Sequence, residues 1–317
     1  MRHNLLNMAI SEKGRQTELR LLFIGLLAAS AFVSPALALL LGIVMTLTLG
    51  NPFPAFSKKA SKIALQASVV GLGFGMNLFE SLESGKEGMM FTIVSVVGVM
   101  LLGVLLGRLL KVDRKNAYLI ASGTAICGGS AIAAVGPVID ADDDQMTMSL
   151  ATIFILNAIA LFIFPPVGRL IDLSQEQFGM WAAIAIHDTS SVVGAGAAYG
   201  EEALKIATTV KLTRALWIIP LAIVSTFVFR SKGRKISIPW FIFLFILAMC
   251  ANTFLNMPEG LTTGIVAISR KVLCMTLFLI GMGLSASSLK KVGAKPLILG
   301  VLLWFIISVT TLAVVCL

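Results

Sequence analysis

From residue 19 to the C-terminus the chain is a succession of apolar runs; the first two are short and meet at Ser34-Pro35 as in a tight hairpin, and each of the others is close to one bilayer crossing in length. The runs fall at about 19–33, 35–50, 60–79, 88–110, 116–138, 146–166, 177–198, 203–229, 237–256, 262–286 and 296–316. A crossing helix needs roughly twenty apolar residues. Backbone inside hydrocarbon must satisfy its own hydrogen bonds, so such runs fold as helices. The expected fold class is therefore an all-α polytopic membrane protein with about eleven transmembrane helices. Residues 1–18 form a polar cytoplasmic segment and residues 19–317 one transmembrane domain. Only 13% of residues are charged, against about 25% in soluble domains.

The net charge of +9 does not indicate nucleic acid, because the cations sit in loops and at helix ends. Lys58 and Lys59, the group from Arg108 to Lys115, Arg169, the group from Arg230 to Lys235, and Lys290, Lys291 and Lys295 follow even-numbered runs. Glu80 and Glu83, the acidic stretch 140–144, Glu201 and Glu202, and Glu259 follow odd-numbered ones. Positive charge marks the cytoplasmic side. The expected location is a bacterial inner membrane, with the N-terminus cytoplasmic and the C-terminus outside. Ala36-Leu37-Ala38 resembles a signal-peptidase site, but the apolar pattern continues through it, so 19–50 reads as the first two spans. Cys127, Cys250, Cys274 and Cys316 lack metal-ligand spacing, and no metal or cofactor is expected.

Gly73, Gly75 and Gly85 match Gly281, Gly283 and Gly293 at a constant offset, on spans of opposite direction. That pattern is expected of an inverted-topology repeat. A fainter likeness joins residues 127–136 to residues 187–196.

Two stretches cannot continue as plain helix. Ser122–Ala133 holds three glycines among hydroxyl residues, and Ile186–Gly196 holds His187, Asp188, Thr189, Ser190 and Ser191. Interrupted helices at membrane depth point to a transporter's binding site; the alternative is close packing through small residues. Gly128, Gly129 and Ser130 would present a half-helix N-terminus, which favours anions. Thr124, Ser122, Ser190, Ser191 and Thr189 would add donors. Lys211 and Arg214 share one face of the eighth span and would attract an anion; alternatively they pair with Asp188. His187 and Asp188 make proton coupling available, or else form a structural pair.

The runs Gly123–Ala134, Ala185-Ile186-His187-Asp188 and Val210-Lys211-Leu212-Thr213-Arg214 resemble signatures of the YeiH-type UPF0324 membrane proteins. Gly71-Leu72-Gly73 and Gly281-Met282-Gly283-Leu284 fit as well, so the resemblance runs from about residue 35 to the end. That family is also labelled as sulfate exporters. The resemblance implies an NhaA- or bile-acid-symporter-like fold, with a core of crossed broken helices moving against a panel domain, and often a homodimer. The paired acidic residues of many sodium–proton antiporters are missing here.

The reading that results is a secondary transporter of a small anion, sulfate or a related sulfur-containing or organic anion. It is not an enzyme. Its partners are the bilayer, the anion, and a proton or sodium as coupling ion. A cation–proton antiporter using Asp188, an intramembrane hydrolase using His187 and Asp188 with Ser190 or Ser130, and a passive channel are the alternatives.

Overall fold

The computed structural model describes residues 2–229, 240–255, 257–284 and 293–317. Arg230, Lys232, Arg234, Lys235, Lys290 and Lys291 lie outside the described residues. All regular structure among the described residues is helical: α1 (Arg2–Ser30), α2 (Pro35–Thr48), α3 (Pro54–Gly73), α4 (Leu78–Leu109), α5 (Arg114–Ala125), α6 (Gly129–Val138) and α7 (Asp143–Leu170) come first. They are followed by α8 (Gln175–Ala185), α9 (Thr189–Tyr199), α10 (Glu201–Ala215), α11 (Ile218–Phe229), α12 (Phe241–Phe254), α13 (Glu259–Gly281) and α14 (Ala294–Val315). Among the described residues five segments are long and apolar enough to cross a membrane: Phe91–Leu109, Asp144–Leu170, Glu201–Phe229, Glu259–Gly281 and Ala294–Val315.

Both expected interruptions occur, α5 giving way to α6 at residues 126–128 and α8 to α9 at residues 186–188. The chain does not go straight on through them. Lys115 Nζ, at the start of α5, donates to the Asp140 carbonyl just beyond α6 at 2.5 Å, and Gln145 Nε2 donates to Asp113 Oδ1 at 3.0 Å. A Cβ on Gly123 would lie 3.1 Å from Ile132, so the two arms lie side by side. In the second unit the Tyr199 hydroxyl donates to the Leu173 carbonyl at 2.6 Å. The Phe178 and Tyr199 rings stack at 3.7 Å, and the Glu202 N–H donates to Gln175 Oε1 at 3.0 Å. The start and end of each unit are therefore neighbours.

These units are helical hairpins that turn back halfway. The 12 residues of α5 rise about 18 Å at 1.5 Å per residue, roughly half of a bilayer. The 28 residues of α7 rise about 42 Å, and α7 separates the hairpins' mouths. Asp113 and Lys115 lie at its beginning; at its end Arg169 Nη2 donates to the Ala198 carbonyl at 2.6 Å. The hairpins thus enter from opposite ends of α7. Side-chain caps fix where each arm starts: Asp113 for α5, and capping boxes of Asp142 with Gln145 for α7 and Ser174 with Gln177 for α8.

Two expectations change as a result. Residues 116–138 and 177–198 are hairpins and not single spans. The acidic stretch 140–144, expected on the opposite face from the basic group 108–115, lies beside it, and Arg169 lies on the face of Glu201 and Glu202. The fainter likeness between residues 127–136 and 187–196 falls at corresponding places in the two hairpins, from each tip into α6 and α9.

Around the hairpins, α4 runs against α5 through Gly103 on Ala121 and Gly107 on Ala117, contacts that no larger residue fits. The α14 helix packs Gly300 on Thr152 and Leu156 and receives hydrogen bonds from Trp181 and Gln177. A second group forms where α3 packs along α13 and α12, with α2 along α13. Here the expected repeat glycines mark close approaches, Gly73 to the Phe245 carbonyl and Gly281 to the Leu39 carbonyl.

The hairpins make a topological prediction that exposed positions can test. Single cysteines replacing Arg114 and Asp144 should react with an impermeant maleimide from one face, and those replacing Glu176 and Glu202 from the other, with Cys316→Ser removing the exposed native thiol. Labelling of positions 114 and 144 from opposite faces would restore a continuous fifth span.

Candidate functional site

A hairpin tip buried in a membrane strands the last carbonyls of its descending arm and the first N–H groups of its ascending arm. At the first tip the chain turns on Gly128, whose φ of 63° and ψ of −123° suit only glycine. A Cβ at Gly128 would lie 3.3 Å from Asp188 and 3.2 Å from Ile153, so the first tip touches the second. At the second tip Ile186 is extended and Asp188 caps α9. The Asp188 carboxylate accepts the Ser190 N–H at 3.1 Å and the Ser190 hydroxyl. Its own N–H donates to Asn157 Oδ1 of α7 at 3.1 Å.

The stranded carbonyls are taken by the two cations of α10, both 0% exposed. Lys211 Nζ donates to the carbonyls of Ala183 (3.2 Å) and Ile186 (2.7 Å) at the second tip. Arg214 reaches the first tip, where Nη2 donates to the Ala125 carbonyl; its Nη1 donates to Ser95 Oγ at 2.8 Å. Positive groups at helix C-termini are favourable on both dipole and hydrogen-bond grounds. Among the described residues neither cation forms an ion pair with Asp188; the pair recorded is Arg270 with Glu201. In place of the alternative, an Asp188–cation pair, the structure shows cation–carbonyl contacts.

The expected residues divide accordingly. Gly128, His187, Asp188, Ser190, Lys211 and Arg214 lie at the tips or bind them. Ser190 is engaged with Asp188, and the Ser122 hydroxyl donates to the Leu119 carbonyl at 2.8 Å. Ser191 is buried in the first turn of α9, while Gly129 is half-buried and Ser130 exposed in that of α6. No side chain hydrogen-bonds as the N-cap of α6 from Gly128. Several polar atoms on these elements are buried without a partner among the described residues: the Thr124 hydroxyl, Asn157 Nδ2, both ring nitrogens of His187, the Thr209 hydroxyl and Arg214 Nε. A buried polar atom left unpaired in a native fold calls for a ligand, a water or an ion.

Sequence reading missed Asn157 and Ser95. Asn157 carried a usable signal, a lone amide in the apolar run Phe154–Ala160. Ser95 carried none, since a serine in a membrane helix commonly bonds to its own backbone. No group of metal-ligating residues occurs among the described residues.

A Gly128→Ala substitution should destabilise the protein by about 1–3 kcal/mol, because a Cβ there meets both a strained backbone and the second tip. Thermal unfolding in detergent measures this, with Gly98→Ala, where a Cβ meets nothing within 4 Å, as the control expected to change little.

The family model described as "Conserved hypothetical protein 698" matches residues 22–300. A UPF0324 membrane protein of Bacteroides thetaiotaomicron is 64% identical over 291 residues, covering 91% of this chain and 88% of its own. Another of Porphyromonas gingivalis is 53% identical, again over 91% and 88% of the two chains. One from Vibrio parahaemolyticus is 47% identical over 91% of this chain and 94% of its own. No solved structure matches. With a family model spanning most of its length and relatives this similar, the chain belongs to the UPF0324 family of membrane proteins.

Proposed function

We propose that this protein is a secondary transporter of a small anion, a carrier and not an enzyme, working by alternating access in the bacterial inner membrane. The observation that carries the reading is the meeting of two opposed hairpin tips, with buried polar groups around them that have no partner among the described residues. Two buried cations stand against one carboxylate there, which leaves an excess of one positive charge (Lys211 and Arg214 against Asp188). The α6 N-terminus, open at Gly128, adds to that field. An anion held at the first tip would use the Gly128–Ser130 backbone and the Thr124 hydroxyl, with Asn157 Nδ2 opposite. Lys211 and Arg214 supply attraction while their own hydrogen bonds hold the tips.

In this reading nine segments cross, the expected eleven less the two hairpins. Removing a pair leaves the parity unchanged, so the N-terminus stays cytoplasmic and the C-terminus outside. The faces bearing the basic group 108–115 and Glu201 are the inner and outer ones respectively. The tips belong to a body of α4–α11 and α14 that moves against α1–α3, α12 and α13. That is a core and a panel, as in NhaA-like carriers, with opposed hairpins in place of crossed helices. His187 is the group available for proton coupling.

Asp188 supports a second reading, a cation–proton antiporter, because it is the carboxylate at the tips. Asn157→Asp separates the two. It keeps the acceptor for the Asp188 N–H and exchanges a free donor for a negative charge.

In proteoliposomes, labelled sulfate, thiosulfate, alkanesulfonates and carboxylates would be screened for counterflow. At least one anion should exchange, Thr124→Val should slow it by about tenfold, and Asn157→Asp should abolish it. Failure of every anion, with pH-gradient-driven sodium movement surviving in Asn157→Asp, would replace this reading by the antiporter. His187→Gln should retain exchange but lose the response to an imposed pH gradient. An unchanged response would remove His187 from coupling.

A further inference from the structure

A cavity of about 350 Å³ opens on the face that bears Glu201, away from the hairpin tips. One wall is α10, with Glu201, Leu204 and Thr208; the other is α13, with Val266 and Arg270; the turn after α3 closes it with Met76. It therefore lies between the body that carries the tips and the body that packs around α13. Its inner end is Thr208, one helical turn before Lys211 on the same face of α10. Lys211 in turn holds the Ile186 carbonyl beside His187. The cavity thus follows α10 from the surface toward the tips.

Across its mouth Arg270 Nη2 meets Glu201 Oε1 at 3.1 Å, joining α13 to α10. The pair is exposed, 41% and 65%, and ion pairs so exposed hold weakly. Arg270 Nε is buried and has no partner among the described residues, so the guanidinium has donor capacity that Glu201 does not use. A guanidinium binds a planar or tetrahedral oxyanion group through two N–H donors at once. The rest of the lining is mixed: Leu72, Leu204 and Val266 give apolar surface beside Thr208, and Lys205 and Glu259 add one charge of each sign. Pockets of about 300–1,000 Å³ with apolar walls and a few placed polar groups hold small organic molecules. A bare inorganic oxyanion would leave that apolar wall unused.

We infer that this cavity is an outer vestibule that binds a small organic anion, its sulfonate or carboxylate on Arg270 and its carbon body against Leu204 and Val266. The Glu201–Arg270 pair is the gate: the incoming anion displaces Glu201 from the guanidinium and frees α10 from α13. This rests on the anion-carrier reading for what happens after binding, but the binding itself can be measured alone.

The reporter is Thr263→Cys, an exposed vestibule position, in a chain also carrying Cys250→Ser and Cys316→Ser. Right-side-out proteoliposomes are treated with an impermeant methanethiosulfonate reagent, and protection by butanesulfonate, butyrate, methanesulfonate and sulfate is titrated. Butanesulfonate should half-protect at a concentration at least about fivefold lower than methanesulfonate, because it buries three more methylenes. Arg270→Gln should raise that concentration by about tenfold, and Glu201→Gln should lower it by about fivefold. Butyrate protecting as butanesulfonate does supports a site for either head group. Equal protection by sulfate and butanesulfonate, or no response to Arg270→Gln, overturns the inference. If counterflow proceeds without protection, the vestibule fails and the carrier stands. If protection follows the expected order and no anion exchanges, the vestibule stands and the carrier reading fails.

Discussion

Two helix breaks in the middle of a bilayer create four helix ends with no water to satisfy them, and the handling of those ends governs the rest of the structure. Lys211 and Arg214, three residues apart on α10, take the carbonyls of the two descending arms. Asp188 takes the N–H groups at the start of α9. Removing a partner from a buried charge typically costs about 3–5 kcal/mol, so each of these side chains has a structural duty before any functional one. One helix therefore grips both tips, and α10 cannot shift without taking the hairpins with it. That is the physical basis for treating α4–α11 and α14 as a single moving body.

The same anchoring limits what substitutions at Lys211 or Arg214 can reveal. Loss of transport on removing either would follow equally from a tip that no longer holds its shape. The groups that bear on ligand chemistry more directly are those the fold does not use, the Thr124 hydroxyl and Asn157 Nδ2 among them. Each can be altered without removing a carbonyl's only donor.

Much of the site was legible in the sequence, and the reason lies in local chemistry. Glycine at 128 and 129, and Asp188 flanked by His187 and hydroxyl residues, cannot be read as ordinary membrane helix. The return of the chain was not legible. Two half-depth arms of 12 and 10 residues have the same summed length as one full crossing, so hydrophobic length cannot separate the two. Charge misled in the same region, because acidic residues such as Asp142 and Asp144 do little to orient a loop. The partners of Lys211 and Arg214 were also hidden, since they are backbone carbonyls that any sequence supplies. The clue to the chain's return was present but faint, the likeness of residues 127–136 to 187–196, whose frame also sets Ala125-Ile126 against Ala185-Ile186 and Ser130 against Ser190.

Within that shared frame the tips differ where it matters for the sign of a ligand. The second tip carries Asp188, which fills its own helix N-terminus and cancels much of that positive end. The first tip has Gly128 and Gly129 at the matching place, with no carboxylate to do the same. One hairpin is thus self-neutralised and the other is left open, and they touch at Gly128 and Asp188. A cation at the tips would sit by the open helix end and two buried positive side chains as well as by Asp188. An anion would meet favourable groups at the first tip and be repelled by one carboxylate already engaged with Ser190. The absence of a side chain at 128 is therefore both the condition for the tips to meet and the basis of the preference for negative charge that we propose for the site.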